Sequence, residues 1–332
     1  MRPTILVTES LNFSDAAAEQ LRSAGRTILS DLDRPALLLA ARDADVLWVR
    51  LRHQIDREVM DAAPRLRAIA TPTTGLNHID LKEASRRGIR VLSLRGETAF
   101  LDQIHATAEH TLALIFGLLR NLPAASHHVT EGGWNRDLFR GRELYGKTAG
   151  IVGYGRVGRM VAGYLQALGV EVLVTDSDPD RRPSDGGIEA VSLAELLERS
   201  DLVSLHVAFN ESTQGFLGQR EFAQMKPGSW FINTSRGELV DEGALLQALT
   251  SGHIAGAAVD VLRDERSTGM SDNALVVYAR SHENLLITPH IGGCTAESME
   301  KTEEFLAAKV VAFLQSHPEE ACVRAGKWED VS

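Results

Sequence analysis

Cysteine is nearly absent from this sequence, which has two in 332 residues, Cys294 and Cys322. Two cysteines cannot build a disulfide framework, and their surroundings lack the ligand spacing of a zinc site. We therefore expect a protein without a structural metal, held together by packed cores that a hydrophobic content of 44% is ample to build.

Apolar runs long enough to cross a bilayer and clusters of basic residues are also missing. The chain carries 35 lysines and arginines against 45 acidic residues, and its formal charge of −10 disfavours binding to the phosphates of nucleic acid. The first residues lead directly into a strand-like segment rather than into a signal peptide. We therefore expect a cytoplasmic protein that binds neither nucleic acid nor membranes.

Strand-like and helix-like segments alternate along the whole sequence. The predicted strands are Thr4–Thr8, Val46–Val49, Leu66–Ala70, Ile89–Leu92, Ala149–Val152, Val172–Thr175, Leu202–Val207, Trp230–Asn233, Ala255–Asp260 and Leu285–Thr288. The predicted helices are one capped by Ser14 or Asp15 and stopped by Gly25, then Asp80–Arg87, Ala106–Arg120, Arg156–Leu168, Leu193–Leu197, Asp241–Leu249 and Ala296–Ser316. Such alternation predicts an α/β protein with parallel sheets covered by helices.

The most informative stretch runs from Thr148 to Asp176. It combines a short strand, the glycine pattern Gly153-Tyr-Gly155-Arg-Val-Gly158, a helix, and a second strand that ends in a carboxylate. In dinucleotide-binding units the first glycine permits a tight turn, the second lets the backbone approach a pyrophosphate, and the third lets the helix pack close to the strand. The helix N-terminus then offers free N–H groups to the phosphates.

Asp176 indicates which dinucleotide binds. A carboxylate at this position accepts hydrogen bonds from a ribose 2′-hydroxyl and repels a 2′-phosphate. Arg181 and Arg182 are near enough in sequence to reach a 2′-phosphate, but Asp176, followed by Asp178, favours NAD over NADP.

The central position of this glycine pattern predicts the domain layout. A chain of 332 residues exceeds the usual size of one domain. We expect a Rossmann NAD-binding domain over residues 101–294, inserted in a smaller substrate domain made of residues 1–100 and 295–332. Each would contain a doubly wound parallel sheet, and the last helix would return to the first domain.

Three ionisable residues follow three successive predicted strands. Arg236 follows Trp230–Asn233, Glu265 follows the strand ending at Asp260, and His290 follows Leu285–Thr288. The carboxyl ends of strands face the ligand crevice in a doubly wound sheet. Arginine presents a planar fork to a carboxylate, histidine transfers a hydroxyl proton near neutral pH, and a carboxylate beside the ring fixes its tautomer and favours its charged form. This trio suits hydride transfer between a nicotinamide and an alcohol that bears a carboxylate.

Between about Val46 and Gly293 the chain contains a series of motifs that occur together in one known family. They are Gly75-Leu-Asn-His-Ile-Asp80, Thr107-Ala-Glu109-His-Thr111, Gly153-Tyr-Gly-Arg-Val-Gly158, Asp201-Leu-Val-Ser-Leu-His206, Met225-Lys-Pro-Gly228, Asn233-Thr-Ser-Arg236-Gly237, Val240-Asp-Glu242, Gly256-Ala-Ala-Val-Asp260-Val261 and Thr288-Pro-His290-Ile-Gly-Gly293. Through these motifs the chain resembles the D-isomer-specific 2-hydroxyacid dehydrogenase family. The resemblance implies that the smaller domain is flavodoxin-like, that Arg236 binds substrate, that His290 is the acid/base and that Glu265 is its partner. It also implies a homodimer formed through the helix Ala106–Arg120 and its neighbours.

The same resemblance implies which residues surround the ligands. The cofactor set is Thr107, Gly153, Gly155, Arg156, Val157, Gly158, Asp176, His206, Thr213, Thr234, Asp260, His290 and Gly293, with Asp260 beside the nicotinamide carboxamide. The substrate set is Arg50, Thr74, Gly75 and Arg236, with the backbone at Thr74–Gly75 holding the carboxylate.

The sequence departs from the family pattern at two places. Arg266 follows Glu265 where relatives commonly have proline, within a polar segment from Arg263 to Tyr278. The stretch Thr71-Pro-Thr-Thr74 lacks the basic residue that relatives acting on phosphorylated acids often place there. This weakens a phosphoglycerate assignment, although Arg50, Arg52 and Arg136 remain candidates for a phosphate contact.

These observations lead to one expected function with its alternatives open. We expect an NAD-dependent oxidoreductase that interconverts a 2-oxo acid and a D-2-hydroxy acid. A non-catalytic NAD(H)-sensing protein of corepressor type remains an alternative on the same fold. Oxidation of a one-carbon or inorganic anion is a second alternative, although the formate-type members have glutamine in place of the glutamate seen here. The identity of the 2-hydroxy acid does not follow from the sequence.

Overall fold

Two parallel β-sheets organise the computed structural model over the residues it describes, 2–181, 183, 187–265 and 269–317. The chain divides into a first unit, Met1–Leu101 with Ala296–Ser332, and a second unit, Asp102–Thr295. The expected α/β class, with one parallel-sheet unit inserted in another, is therefore confirmed. Arg182, Arg266 and Cys322 lie outside the described residues.

The first unit has a sheet of order β2-β1-β3-β4-β5, in which every pair is parallel. This is the flavodoxin-like order. Its strands are β1 (Thr4–Val7), β2 (Arg26–Leu29), β3 (Val46–Trp48), β4 (Ala68–Ala70) and β5 (Arg90–Leu92). Its helices are α1 (Asp15–Ala24), α2 (Arg34–Ala40), α3 (Arg57–Ala62), α4 (Leu81–Arg86), α5 (Thr98–Leu101) and, from the end of the chain, α13 (Ala296–Ser316).

Helices cover both faces of this sheet because alternate residues of each strand point to opposite sides. Val46 and Trp48 of β3 belong to the same buried cluster as Leu306 and Val310 of α13. Leu47, between them, belongs to the cluster on the other face. The helix α13 is thus part of the core of the first unit.

The second unit has a sheet of order β12-β11-β10-β9-β6-β7-β8, again entirely parallel. Its strands are β6 (Thr148–Val152), β7 (Glu171–Thr175), β8 (Ile188–Ala190), β9 (Leu202–Leu205), β10 (Trp230–Asn233), β11 (Gly256–Val259) and β12 (Leu285–Ile287). Its α-helices are α6 (Ala106–Leu119), α7 (Leu122–Thr130), α8 (Arg156–Ala167), α9 (Leu193–Arg199), α10 (Gln219–Gln224), α11 (Glu242–Thr250) and α12 (Ala274–Ala279). Short 3₁₀ helices occupy Ala41–Asp43 in the first unit and Arg136–Phe139, Pro179–Arg181, Glu211–Thr213, Gly237–Leu239 and Met270–Asp272 in the second.

This strand order creates a switch point between β6 and β9. The chain winds outward from β6 through β7 to β8, then returns to β9 and winds outward in the other direction. In open α/β sheets, ligands bind beyond the carboxyl ends of the strands at such a switch. We therefore expect ligand-binding residues in the loops that follow β6, β9, β10, β11 and β12.

The sequence interpretation missed a helix after α6. Asn121 adopts a left-handed φ of 52° and ends α6, as expected, but α7 begins at Leu122 with a proline in its first turn. Proline is favourable in the first turn of a helix because the N–H that it lacks has no partner there. Pro123 therefore starts a helix as well as excluding the continuation of the preceding one.

Part of the polar segment Arg263–Tyr278 is also helical. Asn273 caps α12 by accepting hydrogen bonds from the Leu275 and Val276 N–H groups, and the Leu275 side chain is buried. None of the helices in the described ranges combines the length and apolar character that crossing a membrane requires.

Candidate active site

The glycine-rich turn after β6 has the close contacts that require glycine. Gly153 has a φ of +95°, and a Cβ there would lie 2.7 Å from the His206 carbonyl carbon. A Cβ on Gly158 would lie 2.0 Å from the Gly153 carbonyl oxygen, so α8 packs directly against the turn. Side chains at these two positions would force the backbone apart.

Gly155 is different, because a Cβ on it would make only an ordinary van der Waals contact. A Cβ there would meet only Arg181 Nη1, at 3.6 Å. Gly155 has extended φ and ψ and provides no side-chain cap to the helix. Arg156 turns its guanidinium to the Ile104 carbonyl at 2.8 Å, and Arg156 and Val157 are the first two residues of α8. These features suit a pyrophosphate bound at the helix N-terminus.

Asp176 lies at the end of β7 and is tied to the glycine turn. Its Oδ2 accepts a hydrogen bond from the Tyr154 N–H at 2.7 Å, and its Oδ1 accepts one from the Asp178 N–H at 2.9 Å. Arg181 Nη1 stands 3.7 Å from Oδ2 and Arg181 Nε stands 3.3 Å from Asp178. Asp176 and Arg181 also line a cavity of about 460 Å³ beside β7 and β8. Hydrogen bonds thus fix the orientation of the Asp176 carboxylate beside the glycine turn.

His206 and Thr213 lie on the segment that follows β9. Burial lowers the pKa of His206 to about 4, and its Nε2 is 2.9 Å from Ser204 Oγ. The ring is therefore neutral at pH 7. The Thr213 hydroxyl closes the next turn by accepting a hydrogen bond from the Asn210 N–H at 2.8 Å.

His290 and Glu265 form a hydrogen-bonded pair. His290 Nδ1 is 2.6 Å from Glu265 Oε1, and both side chains are 20% exposed. An ionised carboxylate only accepts, so Nδ1 carries the proton and Nε2 is the nitrogen available to a substrate. The structure thus brings these two side chains into contact, and the catalytic role of the pair stays a prediction.

Glu265 is placed by a second carboxylate that the sequence analysis did not assign. Glu242, at the start of α11, accepts a hydrogen bond from the Arg263 N–H at 2.6 Å and one from Asn273 Nδ2 at 2.9 Å. It therefore fixes the backbone two residues before Glu265.

Arg236 lies in the turn after β10. Its Nη1 donates to the Ser235 carbonyl at 2.6 Å, and its own carbonyl accepts from Asn233 Nδ2 at 3.0 Å. A Cβ on the next residue, Gly237, would lie 2.1 Å from the Leu262 carbonyl carbon. The loop that carries Arg236 thus packs against the loop that leads to Glu265.

Asp260 occupies the centre of the loops that follow β11 and β12. Its carboxylate is 1% exposed and accepts hydrogen bonds from the Thr288 hydroxyl at 2.6 Å and from the N–H groups of Ile291 and Gly292 at 2.8 and 2.7 Å. Burial by itself raises the pKa of Asp260, but hydrogen bonds from His110, Thr288 and these amides hold it below its ordinary value. Asp260 is thus an ionised anchor for the His290 loop.

Other predicted cofactor residues lie near Asp260 and the loops around it. Thr234 Oγ1 is 2.8 Å from Thr111 Oγ1 of α6, and the Thr107 methyl group would be 3.5 Å from a Cβ on Gly292. Gly293 is exposed, with no atom within 4 Å of the Cβ position. Within the described ranges, no group of histidine, cysteine, aspartate and glutamate side chains is arranged to hold a metal ion.

The predicted substrate residues of the first unit are held by other side chains of that unit. Arg50 Nε is 3.0 Å from Glu303 Oε1 and its Nη1 donates to the Leu11 carbonyl at 2.9 Å. The Thr74–Gly75 turn is closed by Thr73, whose hydroxyl donates to the Gly75 carbonyl at 2.8 Å. Arg50 therefore already has an anionic partner.

The sequence model for the NAD binding domain of the D-isomer specific 2-hydroxyacid dehydrogenases matches residues 112–292, more than half of the chain. The chain belongs to the D-isomer specific 2-hydroxyacid dehydrogenase family. Its second unit contains the NAD-binding domain of that family, in agreement with the glycine turn and with Asp176 at the end of β7.

Individual members of the family are similar over most of the chain. D-3-phosphoglycerate dehydrogenase of Mycobacterium tuberculosis is 37% identical over 309 residues, which cover 93% of this chain and 56% of that protein. D-3-phosphoglycerate dehydrogenase of Escherichia coli is 36% identical over 301 residues, covering 90% and 72%. The solved structure of D-lactate dehydrogenase from Aquifex aeolicus, complexed with NAD and lactic acid, has a TM-score of 0.81 at 28% identity, covering 96% and 97%. The chain thus spans about half the length of the mycobacterial relative.

His110 is a polar residue of the family domain to which the sequence analysis gave no role. Its Nε2 is 3.0 Å from Thr288 Oγ1 and 3.2 Å from Asp260 Oδ1. A signal for it was present, because Thr107, His110 and Thr111 recur at helical spacing and share one face of a largely apolar helix.

Proposed function

We propose that this protein is an NAD-dependent dehydrogenase that interconverts a 2-oxo acid and a D-2-hydroxy acid. The observation that carries the proposal is the 2.6 Å hydrogen bond between His290 Nδ1 and Glu265 Oε1. This pair follows strands of the sheet whose switch point carries the glycine turn and Asp176. An oriented imidazole beside a nicotinamide site is the arrangement that alcohol oxidation and carbonyl reduction need.

The residues of the second unit fit a bound NAD. The open face at Gly155 and the N-terminus of α8 would hold the pyrophosphate, and Asp176 would accept from the adenosine ribose. A 2′-phosphate would meet the charge of Asp176, so NAD is favoured over NADP. Thr107, His206, Thr213, Thr234, Asp260 and Gly293 would complete the contacts along the dinucleotide. When bound, NADH supplies the hydride that the carbonyl carbon receives.

Proton transfer is the task of His290 in this proposal. In reduction the imidazolium donates a proton from Nε2 to the carbonyl oxygen, and in oxidation the neutral ring accepts it from the hydroxyl. Glu265 holds the Nδ1–H and stabilises the charged ring. Arg236 offers N–H groups to the substrate carboxylate and carbonyl oxygens.

Residues of the first unit would also contact the substrate in this proposal. The backbone at Thr74–Gly75 would bind the carboxylate, and Arg50 would contact the remainder of the acid only if its ion pair with Glu303 opened. The relatives named above act on D-3-phosphoglycerate or are complexed with lactic acid, which supports a D-2-hydroxy acid as the substrate class.

Oxidation of NADH with a panel of 2-oxo acids tests this function. The panel comprises glyoxylate, hydroxypyruvate, pyruvate, longer 2-oxo acids and phosphohydroxypyruvate, each assayed over a range of pH. We expect turnover with at least one acid, with reduction slowing and the reverse oxidation accelerating as the pH rises. NADH binding without turnover of any acid would contradict the enzyme and favour the NAD(H)-sensing alternative.

A homodimer formed through helices of the second unit is the assembly that we propose. Helix α7 has no buried residue, and exposed apolar side chains lie on it and after it. They are Leu122, Val129, Trp134, Leu138 and Tyr145, of which Trp134 is 89% exposed. A second copy that covers them would remove this apolar surface from water.

A further inference from the structure

The loop that carries His290 has a backbone conformation that must be held in place. His290 has a φ of +54°, in the left-handed region that residues with a Cβ adopt at a free-energy cost. A shift of this loop would move the imidazole relative to whatever binds beside it.

Asp260 holds three consecutive amides of that loop. Its backbone carbonyl accepts from the His290 N–H at 2.8 Å. Its carboxylate oxygens Oδ1 and Oδ2 accept from the Ile291 and Gly292 N–H groups at 2.8 and 2.7 Å. The orientation of this one buried carboxylate therefore determines the path of the chain around His290.

His110 supplies Asp260 with one donor from a different part of the fold, helix α6. The Thr288 hydroxyl donates to Asp260 Oδ1 at 2.6 Å, so its oxygen is left to accept from His110 Nε2, 3.0 Å away. Nε2 also lies 3.2 Å from Oδ1. The proton of His110 is thus on Nε2, shared between the hydroxyl and the carboxylate.

The contact between α6 and the loop is close-packed as well as polar. A Cβ on Gly292 would lie 2.9 Å from Asp260 Oδ2, 3.5 Å from Thr107 Cγ2 and 3.7 Å from His110 Cδ2. The next residue of α6, Thr111, contacts Thr234, two residues before Arg236, just as His110 contacts Thr288, two residues before His290. One face of α6 therefore contacts both loops that carry the proposed substrate-binding and acid/base groups.

We propose that His110 is a positioning residue for His290, acting through Thr288 and Asp260. The catalytic consequence of this inference rests on the proposed function. The effect of His110 on the loop geometry is independent of it. His110 orients the Asp260 carboxylate, Asp260 fixes the Ile291 and Gly292 amides, and the loop then presents the imidazole in one orientation.

The test compares His110→Leu, which removes the donor, with His110→Gln, whose amide N–H can replace Nε2–H. The control is His282→Leu, which removes an exposed histidine of the same unit. Four quantities are measured on the full chain: hydrogen exchange of the peptide spanning residues 288–293, the Kd for NADH, and kcat and KM for the best 2-oxo acid of the panel.

For His110→Leu we expect exchange at Ile291 and Gly292 to accelerate about tenfold, because the loop opens more often. We expect kcat to fall by about ten- to a hundredfold through misplacement of the ring, while KM and the Kd for NADH change by less than about threefold. His110→Gln should recover most of both losses, and His282→Leu should behave as the wild type. Thr288→Val removes the hydroxyl between His110 and Asp260 and should reproduce the His110→Leu pattern. It replaces His110→Leu in the test if His110→Leu does not fold.

Unchanged exchange and kcat in His110→Leu and Thr288→Val would overturn the inference, as would a His110→Gln variant no better than His110→Leu. If the wild type turns over no acid, the proposed function fails, while the exchange comparison still decides whether His110 holds the loop.

Discussion

At the scale of single residues, both the backbone and the side chain of His290 are held in a defined conformation. The backbone of His290 adopts a strained, left-handed conformation. Its ring is oriented by a hydrogen bond of 2.6 Å to Glu265. Because Glu265 is an acceptor only, it specifies which ring nitrogen carries the proton as well as where the ring points.

Glu265→Gln tests that role of the carboxylate. Glutamine keeps the size of the side chain but loses the charge, and its amide can either accept from Nδ1 or donate to it. We expect kcat for reduction to fall by about tenfold or more, because the charged ring and its tautomer are no longer favoured. Stopped-flow or steady-state measurement of NADH oxidation checks this.

The matched control is Asp264→Asn, which neutralises the neighbouring exposed carboxylate. It should leave kcat near the wild-type value. Equal losses in both variants would show that the general charge of the loop matters rather than the contact with His290.

His206 gives a prediction about stability and pH. Burial lowers its pKa from 6.5 to about 4 in the folded protein. Between these values the unfolded chain binds a proton that the folded protein does not, so the free energy of unfolding falls as the pH drops from about 6.5 towards 4. His206→Asn should reduce the slope of stability against pH in that range by up to about 1.4 kcal/mol per pH unit.

Urea unfolding at several pH values measures the slope. His282→Asn, at an exposed histidine, should leave it unchanged. A wild-type slope in His206→Asn would mean that His206 gains its proton in the folded protein as readily as in the unfolded chain.

At the scale of elements, helix α8 contains two glycines in opposite surroundings. Gly158 faces the Gly153 carbonyl, so an added methyl group has no room, whereas Gly163 on the same helix has no atom within 4 Å. Alanine substitutions at Gly158 and Gly163 can therefore be compared within one helix.

Gly158→Ala should push α8 away from the turn and weaken NADH binding by about tenfold or more, since the pyrophosphate amides move with the helix. Gly163→Ala should leave binding unchanged and raise stability by about 0.5–1 kcal/mol, because alanine loses less backbone freedom in a helix interior. Fluorescence titration with NADH and thermal unfolding provide the two measurements. Similar binding in both variants would contradict the role of the turn.

The helices and strands also show which elements can be predicted from sequence patterns and which cannot. Strands such as β6 and β10 were predictable because a buried parallel strand is a short apolar run, and α8 because Val157, Val161 and Leu165 recur at helical spacing. α7 was missed because Pro123 is compatible with both the end and the beginning of a helix, and because no residue of α7 is buried. Periodicity predicts only those elements that have a buried face.

The same limit applies to the candidate site. Arg236, Glu265 and His290 could be selected because each follows a predicted strand, and the order of the strands brings such positions to one edge. His110 could not be assigned a contact, since its partners Asp260 and Thr288 lie far along the chain and are brought to it only by the packing of α6. The ion pair of Arg50 with Glu303 was likewise hidden by a separation of 253 residues.

At the scale of the whole molecule, the chain is an NAD-binding unit inserted in a flavodoxin-like unit, and α13 completes the core of the latter. Insertion explains why the glycine pattern lies in the middle of the sequence. It also means that the core of the first unit combines strands that precede the inserted unit with α13, which follows it.

The proposed homodimer gives a prediction at this scale. Val129→Glu together with Trp134→Glu places charges on the exposed apolar surface at α7 and should convert a dimer to a monomer in size-exclusion chromatography with light scattering. Leu39→Glu, at an exposed leucine of the first unit, is the control and should not change the mass. A wild-type monomer, or a dimer that tolerates both charges, would exclude this surface as the interface.

The central claim is that His290 transfers the substrate proton while NADH supplies the hydride, and His290→Asn tests it most directly. The measurement is kcat for the best 2-oxo acid, taken together with the Kd for NADH from fluorescence titration of the same preparation. The account predicts a loss of about 10²–10⁴-fold in kcat with the Kd for NADH within about threefold of the wild-type value. A variant that binds NADH and turns over at close to the wild-type rate would contradict it.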